Sequence, residues 1–528
     1  MDNIKILDCT LRDGGYVNDF LFGKNVITKI IDQLTNANID IIECGFLEDC
    51  VYNEETSIFN CVEQIRSFIP SNRRNSMYVA MACFGEYSLE NLSNYDGNSI
   101  GGIRVTFHHN EVDDALEYCK QIKQKGYKLF IQPVGTTAYS DEDLIFLIKK
   151  VNEIQPYAFY LVDTLGLMSQ EDILRMSYLI NHNLDIRISL GFHSHNNLQL
   201  SFSNCQTLLQ LKTERGIFLD SSVYGMGRGA GNLNTELIAN YVNTNKNKSH
   251  RYEIEPLLEI IDEFIIQIKE KYTWGYSVPY YLAAVNGCHP NYASYLSNKQ
   301  TLPIKAISKI LRMIESEKRS LFNEKIAEEK YREFQKCEIN DTQAIALLYE
   351  EIRGKNVLLL APGSSLIENR QKIIDYSAQK ECVLISVSFV PNFIDTHYVF
   401  LSNLKRYTTT FNPTNKNINL IHTSNILIDD SLNKLTINYS SLINEEYVII
   451  DNAGIMVLNL LVKLCPEKVY IAGLDGYSSD KENYYLDRLK LSQDNEFLLV
   501  RNEIIKNKIK DLKRNLDMQF ITPSLYID

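Results

Sequence analysis

The first 230 or so residues predict a (β/α)8 TIM barrel, and the chain beyond about residue 354 predicts a second, Rossmann-like α/β domain. Three features of the sequence support the barrel. Eight short runs rich in β-branched and aromatic residues occur before residue 230. Stretches with helical spacing separate most of them. Polar residues gather at the C-terminal ends of the runs, where barrel enzymes place their chemistry.

In chain order the strands are expected at Ile4 to Thr10, Ile39 to Phe46, Met77 to Phe84, Gly102 to Phe107, Lys128 to Val134, Ala158 to Asp163, Arg187 to His193 and Phe218 to Tyr224. Helices are expected at Asn25 to Leu34, Asp113 to Lys125, Asp141 to Ile154 and Gln170 to Ile180. Strands alternating with helices imply right-handed crossovers and a parallel sheet, and eight such units are enough to close it. Asp8, Glu43, His108, His109, Asp163, His193 and His195 then fall on one rim.

At 528 residues the chain exceeds what one core supports, so two or more domains are expected. A formal charge of −12 argues against nucleic acid or an anionic membrane as the main partner. There is no long uncharged apolar run, and Met1-Asp-Asn-Ile-Lys5 has none of the regions of a signal peptide, so no membrane insertion and a cytoplasmic location are expected. The 11 cysteines are scattered without a C-x-x-C pair and read as buried thiols in a reducing compartment.

The candidate chemistry centres on Gly191-Phe-His-Ser-His-Asn-Asn197. Residues i and i+2 of a strand share a face, so His193 and His195 point the same way and suit one metal ion. Far upstream, Leu7-Asp-Cys-Thr-Leu-Arg-Asp-Gly14 supplies Asp8 at a strand end and Arg12 in the loop beyond, beside Asp13. Asp8, His193 and His195 give one oxygen and two nitrogen ligands, with Asn232 as a further oxygen. Open positions and mixed ligation favour Mn2+ or Mg2+ over Zn2+. A 2-oxo acid chelating such an ion would have its keto group polarised, and a guanidinium at Arg12 would stabilise the resulting enolate. The glycine loop Gly225-Met-Gly-Arg-Gly-Ala-Gly-Asn232 follows the eighth strand and can form an anion nest.

On these segments the chain resembles the DRE-TIM metallolyase superfamily of pyruvate aldolases and 3-hydroxy-3-methylglutaryl-CoA lyases. Five motifs carry the resemblance in order: Asp8 to Gly14, Glu43-Cys-Gly45, Asp163-Thr-Leu-Gly166, His193-Ser-His-Asn196 and Gly225 to Asn232. It implies Asp8, His193, His195 and Asn232 as metal ligands, Arg12 as the enolate-stabilising arginine, and Asp13, Glu43, Asp163, Gly227 and Gly229 as substrate-binding positions. The barrel is most similar to the 4-hydroxy-2-oxovalerate aldolase type, which has a catalytic histidine just after the R-D-G segment. Here Tyr16 takes that place, with His108 and His109 as alternative acid/base groups.

From Arg251 to about residue 340 the pattern turns helical, notably Glu255 to Lys271 and Ile304 to Ile314. This extension is expected to help close the site or to form a homodimer or higher homo-oligomer. The second domain is expected to have strands near Val357 to Ala361, Cys382 to Val387, Tyr398 to Leu401, Ile418 to His422, Tyr447 to Ile450, Val469 to Ala472 and Phe520 to Thr522. Pro362-Gly-Ser-Ser365 reads as a strand-to-helix turn that binds phosphate through Gly363 and Ser364, with Asp475 as a ribose or metal carboxylate. Ala361 to Leu366 and Ile471 to Tyr477 resemble Rossmann-type domains of sialyltransferase-like and pterin-diphosphokinase-like proteins, which handle nucleotide or diphosphate ligands.

The expected function is a metal-dependent aldolase joining or cleaving a 4-hydroxy-2-oxo acid, its small-molecule partners a 2-oxo acid and an aldehyde. Fusion to a nucleotide-style domain suggests a sugar-derived aldehyde in surface polysaccharide synthesis. Two other expectations stand beside it: Claisen chemistry on an acyl-CoA, and a barrel that is an inactive scaffold for nucleotide or glycosyl transfer in the second domain.

Overall fold

The structure is a computed structural model that describes residues 3–136, 139–245, 251–410, 419–428, 433–478, 483–486 and 495–527. The chain divides into two compact units, Met1–Asn291 with Arg319–Phe322, and Tyr292–Lys318 with Asn323–Asp528.

In the first unit the parallel strands β1 (Ile4–Asp8), β2 (Ile41–Leu47), β4 (Met77–Cys83), β5 (Gly102–Phe107), β6 (Lys128–Pro133), β7 (Ala158–Asp163), β8 (Ser189–Ser194) and β9 (Ile217–Ser221) pair in sequence order. The two-residue β3 (Ile58–Phe59) adds to the edge of β2. Pairing of β1 with both β9 and β2 closes the barrel. The helices Lys24–Asn36, Val112–Gln124, Asp141–Ile154 and Gln170–Asn183 lie where helical spacing is found. Each strand alternates between two apolar environments. Ile6, Ile42, Ile103, Phe192 and Leu219 pack outward in the core shared with the helices, whereas Leu7, Cys9, Ile41, Val79, Phe130 and Phe218 fill the interior.

The second unit is built on one seven-stranded parallel sheet: β10 (Asn356–Leu360), β11 (Val383–Val387), β12 (Tyr398–Leu401), β13 (Asn419–Thr423), β14 (Lys434–Ile437), β15 (Lys468–Ala472) and β16 (Met518–Phe520), in the order β14-β13-β12-β11-β10-β15-β16. Two expectations need correction here. Tyr447–Ile449 is a 3-10 turn, because a four-residue apolar run carries no period to separate strand from helix. Lys434–Ile437 is a strand that the polar Lys434 and Thr436 obscured. Ile418, expected to begin the fourth strand of this sheet, lies outside the described residues. The helical segment 251–340 is shared between the two units. Its Glu255–Lys271 stretch is helical throughout, with a π-helical turn at Ile261–Ile265. No helix among the described residues is long and apolar enough to cross a membrane, and none of the eleven cysteines is in a disulfide.

Candidate metal centre

Strand parity decides which side chains face the barrel interior. On β8, Leu190 and Phe192 pack outward, so His193 turns inward, and His195 follows two residues later. His195 is held just past the strand end by its N–H to Asp163 O at 3.3 Å and by a bridge to Asn232. The two imidazoles meet at 88°, with ring centroids 5.1 Å apart.

Beyond β1 the chain folds back on itself, with the amides of Arg12 and Asp13 both donating to Cys9 O. This turn brings the Asp13 carboxylate to the histidines. Asp13 Oδ2 lies 3.8 Å from His193 Nε2 and 4.0 Å from His195 Nε2, too far for hydrogen bonds and open enough for one ion. Among the described residues these three form the only His/Cys/Asp/Glu cluster with metal-binding spacing.

Asp8, expected as the carboxylate ligand, is not in this group. It ends β1 with the same parity as Ile6 and therefore faces outward. Its Oδ1 accepts from Thr10 N–H at 2.9 Å and its Oδ2 from Thr235 Oγ1 at 2.6 Å. Burial raises its pKa to about 6 against the pull of these hydrogen bonds. Asp13, expected to bind substrate, stands where Asp8 was placed.

Asn232 is fully buried beside the cluster. Its Nδ2 donates to Met226 O at 3.2 Å, and its Oδ1 has no hydrogen-bond partner. A Cβ on Gly227 would lie 2.3 Å from Asn232 Nδ2 and 3.3 Å from Asp13 Oδ2, so this position needs glycine for the loop to close over the site. Gly229 instead adopts a left-handed conformation at φ +67°.

A ring of buried charges backs the cluster. Arg12 Nη1 donates to Asp13 at 3.0 Å and Arg12 Nε to Glu43 Oε2 at 2.8 Å. Glu43 Oε2 also accepts from Arg104 at 2.8 Å, and Arg104 donates to Gln132 and to Asp220. Asp220 Oδ2 accepts from His193 Nδ1 at 3.0 Å, completing the circuit. Burial alone would raise the Asp220 carboxyl, but Arg104 and His193 outweigh it and hold the group ionised. A carboxylate only accepts, so His193 Nδ1 carries a proton, and its Nε2 faces Asp13. His195 is pushed down to about 3, chiefly by burial although Asp13 opposes it, and is neutral at pH 7. Asp13 is held well below the usual carboxylate range, because Arg12 and both histidines outweigh the burial that would raise it.

Within the ring, the three carboxylates Asp13, Glu43 and Asp220 face two guanidiniums, Arg12 and Arg104, leaving one buried negative charge. Asp13 Oδ2, Asn232 Oδ1 and Arg12 Nη2 are buried without hydrogen-bond partners. Unpaired polar atoms of both signs are costly in a core and typical of a site built for ligands. Two imidazoles, a carboxylate and an orphan amide oxygen suit a divalent cation, and the unused Nη2 suits an anionic oxygen beside it.

The other expected positions divide. Glu43 positions the two arginines. Asp163 spends its oxygens on the amides of Leu167 and Met168, at 2.9 and 3.0 Å, and so shapes the loop after β7. Tyr16 lies at the mouth, 39% exposed, its ring 3.9 Å beneath the Arg228 guanidinium. Its phenol is raised above the ordinary tyrosine value by desolvation, which outweighs Arg228 and Arg12. His109 turns outward to Tyr139 and Asp143. Arg104, Asp220 and Arg228 were not foreseen as site residues. The available signal was an ionisable residue inside an apolar strand, as in Gly102-Ile-Arg-Val105 and Phe218-Leu-Asp220. Arg228 also reaches His289 Nε2 at 3.2 Å, at the end of the helix Val278–Val285 and the turn beyond it.

Residues 103–263 match the family model described as HMGL-like. An oxaloacetate decarboxylase of Mycobacterium tuberculosis is 25% identical over 243 residues, covering 44% of this chain and 68% of that protein. A 4-hydroxy-2-oxovalerate aldolase of Geobacillus genomosp. 3 is 26% identical over 238 residues, covering 44% of this chain and 69% of that protein. The solved N-terminal domain of a protein from Bacteroides vulgatus is 26% identical, covers 56% of this chain and 96% of that domain, and superposes with a TM-score of 0.47.

Proposed function

We infer that the barrel, of the DRE-TIM metallolyase kind by family model and motif order, is a divalent-metal-dependent aldolase that makes or cleaves a 4-hydroxy-2-oxo acid. The observation that carries this is the convergence of Asp13 Oδ2, His193 Nε2 and His195 Nε2 beside the unused Nη2 of Arg12. Asp13, His193 and His195 would hold the ion, with Asn232 Oδ1 as a fourth donor, and the donor set favours Mn2+ or Mg2+. When bound, the ion supplies Lewis-acid polarisation of a keto oxygen.

The residues of the chain do the rest. In the cleavage direction the C4 hydroxyl gives its proton to water, the C3–C4 bond breaks, its electron pair becomes the enolate of pyruvate while C4 leaves as the aldehyde, and C3 of the enolate takes a proton back from water to give pyruvate. Arg12 Nη2, fixed by Glu43 and Asp13, donates to the enolate oxygen as charge develops there. Asp220 keeps the His193 ring in one tautomer. Tyr16 stays a neutral phenol at pH 7, so it donates a hydrogen bond to a substrate oxygen rather than removing a proton. Arg228 adds positive charge at the mouth for the substrate carboxylate. A sugar-derived aldehyde and a role in surface polysaccharide synthesis, on the pairing of the barrel with the second domain, complete the proposal, with a cytoplasmic location and a homo-oligomer through the helical extension beside them.

The test is exchange of the pyruvate methyl protons in D2O, followed by mass spectrometry. The expected result is exchange that chelator abolishes and Mn2+ or Mg2+ restores, reduced by about 100-fold or more in Arg12→Ala and His195→Ala. Absence of exchange with every 2-oxo acid tried, metal present, would defeat the proposal.

A further inference from the structure

The phosphate position expected in the second unit is filled by the chain itself. The helix after Pro362-Gly-Ser-Ser365 is only four residues long, Ser365 N–H donates to Asp475 Oδ2 at 2.8 Å, and Ser365 Oγ donates to Asp475 Oδ1. A Cβ on Gly363 would lie 2.5 Å from that carboxylate, so Asp475 fills the turn. Donors suited to an anion stand instead at the barrel mouth, on Arg228 and His289.

The surrounding chain holds both side chains in place. A Cβ on Gly229 would touch Pro290 at 3.5 Å, and Gly229 O accepts from Gly275 N–H at 3.2 Å. Trp274 Nε1 donates to Tyr224 O at 3.3 Å, so the segment from Trp274 to Pro290 is fastened along the glycine loop. His289 N–H donates to Arg319 O at 2.8 Å, and its ring stacks at 29° on Phe322 with centroids 6.4 Å apart. The Arg228 guanidinium is fixed in turn by the Tyr16 ring 3.9 Å beneath it.

His289 is caught between two donors. Its Nε2 lies 3.2 Å from Arg228 Nη1 and its Nδ1 3.2 Å from the Asn291 amide nitrogen. Burial, reinforced by Arg228, pushes the imidazole down to about 4, so the ring is neutral at pH 7. A neutral imidazole accepts at one nitrogen only. With Nδ1 taking the Asn291 amide, Nε2–H and the Arg228 N–H stand side by side with no acceptor between them. One anionic oxygen accepting from both removes that conflict.

Arg228 also lacks a counter-charge of its own. Among the described residues it makes no ion pair, its contacts being His289 and the Tyr16 ring. Asp13 feels its charge but is already paired with Arg12. In the aldolase reading Arg228 draws in the carboxylate of the oxo acid, which the ion then claims, while Tyr16 beneath it meets a substrate oxygen. The charge that remains at the mouth suits an anionic group on the outward part of the substrate, its aldehyde half.

We propose that Arg228 and His289 form a seat for an anionic group, a carboxylate or a phosphate, on the aldehyde half of the substrate. The assignment to the aldehyde rests on the aldolase reading. The test is calorimetric titration of the full chain, with Mn2+ and saturating pyruvate present, using glycerol 3-phosphate against glycerol and butyrate against butanol. At least one anion is expected to bind more tightly than its neutral counterpart, and which one binds tells phosphate from carboxylate. Its affinity should fall about tenfold or more in Arg228→Gln and in His289→Phe, which keeps the ring but loses the donor. His289→Gln, whose amide donates in place of Nε2–H, should retain affinity within about threefold of the parent. Neither anion binding at millimolar concentration, binding unaffected in a folded Arg228→Gln or His289→Phe chain, or displacement of the probe by pyruvate would overturn the proposal. Pyruvate methyl exchange in the same preparations separates the two readings. Exchange without anion binding removes the seat and leaves the aldolase, whereas anion binding without exchange removes the aldolase and with it the aldehyde assignment.

Discussion

Asp13→Asn and Asp8→Asn, compared side by side, separate the two carboxylates of the first loop. Asp13 Oδ2 is buried without a partner and faces both imidazoles, whereas Asp8 has both oxygens occupied on the outer side of β1. Loss of a residue that merely orients a ligand costs about 10- to 100-fold in metal affinity. Loss of a ligand carboxylate should cost more, so Asp13→Asn is expected to weaken Mn2+ binding by over about 100-fold, or about 2.7 kcal/mol. Asp8→Asn should leave Mn2+ affinity within about threefold of the parent chain, since second-site ligands are untouched. Its signature is in stability. Lifting the Asp8 carboxyl from 3.8 to about 6 corresponds to about 3 kcal/mol. The folded chain holds this proton to higher pH than the unfolded chain, so the favourable contribution is complete below 3.8 and is lost as pH rises through 6. Asp8→Asn removes that dependence, and its stability between pH 4 and pH 7 should be flatter than that of the parent. Titration of Mn2+ by calorimetry and urea unfolding across that pH range measure both effects. The reasoning is refuted if Asp8→Asn loses Mn2+ as severely as Asp13→Asn, or if Asp13→Asn binds Mn2+ like the parent.

Asp220→Asn removes the acceptor that fixes His193 Nδ1–H and one partner of Arg104. Mn2+ affinity should fall about 10- to 100-fold, and the barrel should lose stability by about 3 kcal/mol, moderated because Arg104 keeps Glu43 and Gln132. Equal Mn2+ affinity in Asp220→Asn and the parent would show that the ring does not orient the ligand. Tyr16→Phe should leave pyruvate methyl exchange within about threefold of the parent while lowering turnover of a 4-hydroxy-2-oxo acid by about tenfold or more, the pattern of a hydrogen-bond donor rather than a base. Exchange lost entirely in Tyr16→Phe would instead make the phenol the proton acceptor.

Most of the barrel was legible because its signals are local. Ala158–Asp163 and Asp141–Ile154 match their expected limits, since β-branched and aromatic runs and i, i+3, i+4 spacing report pleated and helical backbone directly. The strand Lys434–Ile437 was not legible, because its polar positions reveal no hydrophobic alternation until the sheet is assembled. His193 and His195 were legible for the same reason as the strands: two residues apart across the end of β8, they turn to the same side where the extended backbone continues past it.

The choice between Asp8 and Asp13 lay beyond the sequence. Asp8 lies four residues before Arg12 and Asp13 directly after it, and nothing local says which one turns inward. In the folded barrel the interior claims Leu7 and Cys9, which commits Asp8 to the outer face, and the turn on Cys9 O carries Asp13 across the mouth to the histidines. Arg104, Glu43 and Asp220 are likewise far apart along the chain and become one circuit only when strand parity points all three inward. The sequence alone determined the eight barrel strands, the motif order and the histidine pair, because period and composition act over a few residues. The tertiary structure decided which carboxylate joins them and which charges surround it, because closure of the barrel sets the inward face of every strand at once.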